Sequence, residues 1–253
     1  MLNGWKKGAL HTHSFWSDGE AFPEQVVLRH LERGYDFVCL TDHNNLGLDP
    51  QHWLYVIQPE QGPFPESLPY IGGCTWQTAL ERYQTDFPGI PETKTIAARK
   101  YVRVRSLPEV KEIFRELQNF AVIGGEELTT RLKTPNTRYQ LDMGVLNLKQ
   151  QMNYLSGDTL PETLRLNKEL YDHLRSQQEQ PTLFIVNHPG GYYYDLAPEA
   201  LIVQDDIRHF ELCNSNVDGA DGEGSFRHPL LYDNEKFWDI VNAHRAEDGK
   251  QLL

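Results

Sequence analysis

Cysteine is scarce in this chain: Cys39, Cys74 and Cys213 are odd in number and widely spaced, and no Cys-x-x-Cys pair occurs. That excludes a disulfide framework and a thiolate zinc site. Cys39 and Cys213 lie inside apolar runs and read as small buried residues, which fits a reducing compartment. Positive charge is also short, with 24 Lys and Arg against 36 Asp and Glu, a net charge of −12, and no grouping of the cations. Binding a nucleic-acid backbone needs clustered Lys and Arg, so nucleic acid is excluded as a partner. An anionic substrate would have to be attracted by bound cations instead. No apolar run is long enough to span a membrane, and residues 1–7 lack the apolar stretch of a secretory signal. The expectation is a cytoplasmic protein without a membrane partner. Neither Gly-x-Gly-x-x-Gly nor a P-loop occurs, which disfavours nucleotide-cofactor chemistry, and there is no internal repeat.

What is present is histidine at strand-like positions. His11-Thr12-His13 follows the apolar run Gly8-Ala9-Leu10. Residues i and i+2 of a strand project to one face, so two imidazoles stand side by side, which is half a metal site. Ser17-Asp18-Gly19 then offers a turn that swings a carboxylate back, and Leu40-Thr41-Asp42-His43 repeats the sequence of apolar strand and polar ligands. Asp42, between Thr41 and His43, reads as a residue that orients a ligand imidazole.

At 253 residues the chain is long enough for one large domain, 1–253, with a substantial core. Buried-strand patterns fall at 8–11, 36–41, 120–124, 143–148, 183–186 and 210–213, and helical patterns at 23–33, 107–117, 161–175, 198–203 and 235–245. Such alternation predicts an α/β fold of parallel strands with helices outside and ligands at the strands' carboxyl ends. His11, His13, His43, Glu127 and His188 each lie at or just past such an end. Residues 44–105 are rich in Pro and aromatics and lack clear periodicity, as a long insertion does that serves as lid, binding loop or packed excursion. Arg99, Arg103 and Arg105 beside it form a small basic patch, for which a solvated strand edge or a helix entry is a simpler account than a phosphate grip. The glycine-rich stretch 216–225 lacks EF-hand spacing and reads as a flexible connection. Glu211, a carboxylate inside an apolar run, needs a cation or hydrogen bonds to compensate its burial.

Taken in order, His11-Thr12-His13 with Ser17-Asp18-Gly19, Thr41-Asp42-His43, Gly125-Glu126-Glu127 and Asn187-His188-Pro189 resemble the PHP family, named for polymerase and histidinol phosphatase. The resemblance runs over nearly the whole chain. It implies a distorted (β/α)7 barrel with two or three divalent metal ions, zinc, manganese or iron, that hydrolyses small phosphoesters with a metal-activated hydroxide. Carried over by motif, His11, His13 and Glu127 would hold one metal, Glu127 would bridge to a second held by His188, and Asp18 with His43 would hold a third. The catalytic assignments that follow are His43, Glu127 and His188.

Two departures matter. Asp142 stands where relatives have a His, and a carboxylate there favours harder ions such as manganese. The family's last motif, a terminal strand ending in Asp-x-His, is missing. Residues 251–253, after a helix stop at Asp248-Gly249, read as the start of a seventh strand that is cut short, so truncation at the C-terminus is expected. Two alternatives remain beside phosphoester hydrolysis: a metal-dependent carboxyl or carbamate ester hydrolase, and a metal- or ligand-binding PHP-like module without turnover.

Overall fold

The computed structural model describes residues 4–58, 73–132, 140–189, 196–212 and 234–253. It is a mixed α/β chain that divides into two compact units, residues 1–126 and 127–253.

In the first unit, the short strand β1 (Gly8–Ala9) pairs in parallel with β2 (Phe37–Leu40), with Gly8 opposite Phe37. The helix α1 (Pro23–Glu32) lies between them in sequence. Proline at its first position lacks only an N–H that no helix would use, and Gly34, at φ +69°, supplies the left-handed residue that ends it. β2 pairs in parallel with β7 (Ala121–Arg131) from Phe37 opposite Ala121 to Leu40 opposite Gly124.

Residues 44–105, expected to be irregular, carry regular structure. β3 (Trp53–Ile57), β4 (Cys74–Trp76), β5 (Thr93–Ile96) and β6 (Arg99–Arg103) form a sheet in the order β4-β3-β6-β5, with helix α2 (Gln77–Asp86) after β4. Period-two burial is visible in β3, where Leu54 and Val56 are buried between the half-buried Trp53 and Tyr55. These strands hold three to five residues each, too few to give a periodic signal in a stretch crowded with proline and aromatics. Leu54, Val56 and Val102 join Phe22, Val27, Val38, Leu40, Leu80, Tyr83 and Val110 in the unit's core, where the Phe22 and Tyr83 rings stack at 4.0 Å.

Helix α3 (Leu107–Ile113) is shorter than its apolar pattern suggests, and begins in a capping box. The Ser106 N–H and hydroxyl both donate to Glu109 Oε2, over 2.9 and 2.8 Å. Within the basic patch Arg99 is exposed, while Arg103 and Arg105, which lead into α3, are engaged: the Arg103 guanidinium, nearly buried, donates to Glu92 and Glu109, and Arg105 meets the same two carboxylates.

The second unit holds the rest of β7, β8 (Gln140–Leu146), α4 (Leu160–Arg175), β9 (Leu183–Val186), α5 (Pro198–Val203) and α6 (Asn234–Glu247). β8 lies between β7 and β9. β8 and β9 run antiparallel, Met143 opposite Val186 and Leu146 opposite Leu183, which corrects the expectation of uniformly parallel strands. Residues 147–182 join the two strands and include α4, long enough for either direction, so packing and not the length of the connection sets this pairing. α4 starts at Thr159, whose Oγ1 accepts from the Glu162 N–H. Leu128, Met143, Val145, Leu164, Phe184, Val186, Leu201 and Phe237 make this unit's core.

The run 210–213 reduces to a parallel bridge between Phe210 and Val186, with Cys213 and the stretch 216–225 outside the described residues. Residues 251–253 do not form a strand; the Leu253 N–H donates to Asn242 Oδ1 and its side chain packs on the core. Among the described residues, no helix is long and apolar enough to cross a membrane.

Candidate metal centres

Backbone pairing between two threonines builds the first group. The Thr41 N–H donates to Thr12 O over 2.8 Å, and the Thr12 N–H donates to Thr41 Oγ1 over 2.8 Å. The chain past β1 is thereby fastened beside the chain past β2, and the residues flanking the two threonines converge. His11 Nε2 lies 2.9 Å from His13 Nε2, and the His13 and His43 rings stand 4.5 Å apart.

The turn that follows returns Asp18 to these rings. Ser17 and Gly19 donate their N–H groups to Ser14 O, and Gly19 sits so close to the chain that a Cβ there would lie 2.5 Å from the His13 carbonyl carbon and Ser14 N. Asp18 Oδ1 is then 3.1 Å from His13 Nδ1, and Oδ2 is 3.3 Å from His43 Nε2. Hydrogen bonds from His13 and His43 hold the Asp18 carboxyl well below the usual carboxylate range. His13, Asp18 and His43 each offer a donor atom within 4.8 Å of the others.

Asp42, fully buried, organises this turn from beneath. Its Oδ1 accepts from the Ser14 N–H at 2.7 Å and the Ser17 hydroxyl at 2.7 Å, and its Oδ2 from the Ser14 hydroxyl at 2.9 Å. Burial pushes the carboxyl up, and these hydrogen bonds oppose it. The sequence pointed to Asp42 as a positioning residue; it missed Ser14 and Ser17, whose only signal was their place beside His13 and Asp18.

The second group lies in the other unit and is buried throughout. Glu127 sits inside β7, not at a strand end as expected, because β7 continues to Arg131 beyond its pairing with β2 at Gly124. Asp142 is the third residue of β8, and His188 follows β9. His188 Nε2 lies 3.3 Å from Glu127 Oε1 and 3.9 Å from Asp142 Oδ2, and the three residues offer donor atoms within 4.8 Å of one another. Glu127 and Asp142 are 1% and 0% exposed. Two carboxylates this close and this dry repel each other and have lost their hydration, so the pair requires a cation or a shared proton.

Neighbours fix both carboxylates. Asn187 Nδ2 donates to Glu127 Oε1 over 2.7 Å, and Gln140 Nε2 reaches both oxygens of Asp142, at 3.0 and 2.9 Å. Neither residue was singled out from the sequence for this role, although Asn187 precedes His188 and Gln140 shares a strand face with Asp142. Cys39 stands apart from this chemistry: burial pushes its thiol up to about 12, so it is no nucleophile.

The donor chemistry fits divalent ions. Both groups consist of imidazole nitrogen and carboxylate oxygen without thiolate, a set that suits zinc, manganese and ferrous iron.

No model of a known protein family matches this chain, and no curated protein matches it. A solved structure that is similar to it is a two-domain protein containing a predicted PHP-like metal-dependent phosphoesterase from Bacteroides vulgatus ATCC 8482, with 18% sequence identity and a TM-score of 0.39. The match covers 82% of this chain and 44% of that one, so the chain spans less than half the length of that protein.

Proposed function

We propose that the chain is a metal-dependent hydrolase of small phosphoesters. The observation that carries the reading is the buried triad Glu127, Asp142 and His188, whose paired carboxylates call for a cation or a shared proton and whose donor set suits a divalent ion. The motif order that resembles the PHP family agrees with it. In this reading Glu127, Asp142 and His188 hold one divalent ion, and His13, Asp18 and His43 hold another, with His11 beside them.

Divalent ions at such positions supply two things, a water of lowered pKa and neutralisation of the charge that develops on phosphoryl oxygens. The chain's own part is positional. Asn187 and Gln140 hold two buried carboxylates in single orientations, so no reorganisation is needed when charge moves. Asp42 holds the Ser14-to-Ser17 turn, and through it the spacing of His13 and Asp18. Asp18 is half exposed, which leaves the first group reachable by a small anionic substrate. In the reaction, water adds its oxygen to phosphorus, the ester P–O bond breaks, and the water's proton passes to the leaving oxygen.

The test is elemental analysis of the purified protein for zinc, manganese and iron, joined to a panel of phosphomonoesters and carboxyl esters. Retained metal with phosphomonoester turnover, both reduced in His188→Ala and in His43→Ala, is the expected result. A protein that retains metal yet hydrolyses no phosphoester, or that binds none, overturns it.

A further inference from the structure

His188 is held in a conformation its sequence context opposes. Its φ is +26°, in the left-handed region that non-glycine residues rarely adopt, and it is followed by Pro189, which confines a preceding residue to extended backbone. Strain of this kind persists only where the surroundings over-determine it. On one side the surroundings are plain: the Asn187 N–H donates to Asp142 O over 2.9 Å, which ties the chain just before His188 to β8. On the other, the His188 N–H donates to Glu211 Oε2 over 3.2 Å.

Glu211 is itself anchored. Its N–H donates to Val186 O over 2.8 Å, the Val186 N–H donates to His209 O over 3.1 Å, and between them Phe210 bridges to Val186 and places its ring 5.9 Å from Phe237 in the core. The carboxylate is therefore fixed to the same strand whose end it caps.

We infer that Glu211 is a positioning residue: its carboxylate, by accepting the His188 backbone N–H, holds the strained turn that aims the His188 imidazole at Glu127 and Asp142. The inference rests on the proposed metal-dependent reading for its consequence, but not for its geometry. A hydrogen bond to an ionised acceptor is about twice as strong as a neutral one, and it fixes direction as well as distance. Without it the turn relaxes towards the extended backbone that Pro189 favours, and His188 Nε2 leaves the carboxylates. Glutamine, with an amide oxygen at the same reach, retains the acceptor and loses only the charge.

The experiment uses the whole chain as wild type, Glu211→Ala, Glu211→Gln and His188→Ala, with two readouts. The first is hydrogen exchange at the His188 amide in metal-free protein. It is expected to be slow in wild type and Glu211→Gln and fast in Glu211→Ala. The second is the affinity for Mn²⁺ alone, measured against a competing chelator. Glu211→Ala is expected to lose roughly 10–100-fold, the usual effect of removing a group that orients a metal ligand, and to approach His188→Ala, whereas Glu211→Gln retains wild-type affinity. Unchanged exchange in Glu211→Ala overturns the inference. So does a Glu211→Gln affinity as weak as that of Glu211→Ala, which would make the carboxylate a direct ligand. If wild type and His188→Ala bind Mn²⁺ equally, the metal reading of this triad fails, while exchange that follows the expected pattern still upholds the positioning role.

Discussion

Asn187 Nδ2 and Glu127 Oε1 lie 2.7 Å apart, both side chains buried, so the residue beside the candidate ligand His188 orients the carboxylate of another. Replacing Asn187 by Ala removes one donor from a buried carboxylate, at a cost of about 1–3 kcal/mol. It is also expected to reduce metal affinity by roughly 10–100-fold. Urea unfolding and metal competition check the two effects, and Asn187→Ala with wild-type values in both would show that Glu127 does not depend on this amide.

Asp42 makes the corresponding prediction in the first unit. Asp42→Ala strands two N–H or O–H donors of Ser14 and one of Ser17. Hydrogen bonds to a charged acceptor contribute about 1.5–3 kcal/mol each and are not additive, so a loss of about 3 kcal/mol is expected. Asp42→Asn, which keeps an acceptor, loses less. Comparing the midpoints of urea unfolding for the two variants checks the order.

The Arg103 guanidinium, held between Glu92 and Glu109, draws the Glu109 carboxyl down to about 2. A carboxyl whose folded pKa lies below its unfolded value adds stability above the unfolded pKa, and that stability is lost as pH falls through the folded one. Wild type is thus expected to exceed Glu109→Gln by about 1 kcal/mol near pH 7, after allowance for solvent at a partly exposed pair. The difference fades from about pH 4.5 downwards and vanishes near pH 2. Denaturant titrations of both proteins at three pH values across that window check it. A difference that stays constant with pH would assign it to packing.

Arg245 is fully buried on α6 and donates to the carbonyls of Leu201, Gln204 and Ile207, at 2.6, 3.2 and 3.1 Å. Leu201 lies in the last turn of α5, whose carbonyls lack helical partners, while Gln204 and Ile207 follow the helix. Arg245→Met removes the donors and is expected to destabilise by about 3 kcal/mol, since each unsatisfied buried acceptor costs about 1–3 kcal/mol. Thermal unfolding checks this, with Arg245→Lys, which reaches fewer carbonyls, falling between.

Local elements were legible where local chemistry specifies them. β9 and α5 have the boundaries expected from an apolar run of four and from Pro198 opening a helix. His11 and His13 stand side by side as expected, although β1 ends at Ala9 and the chain bends at His11. Pairing direction was not legible in the same way. The antiparallel pair β8 and β9 reads, in sequence, like any other apolar strands flanking a helix, because direction is set by connection and packing and not by strand composition. The four short strands within 44–105 stayed hidden because they hold three to five residues each and β4, β5 and β6 bury no more than two apiece.

The sequence by itself determined which residues could offer imidazole or carboxylate donors, because residue type is a local property. Only the tertiary structure decided which of them meet. Asp18 joins His13 and His43, while Glu127, Asp142 and His188 converge from separate stretches of chain, and of the groups that orient them Asp42, Asn187 and Glu211 act across long sequence separations or through backbone geometry. A buried carboxylate needs its partners from whatever element folding brings beside it, and that demand leaves no pattern in a linear chain.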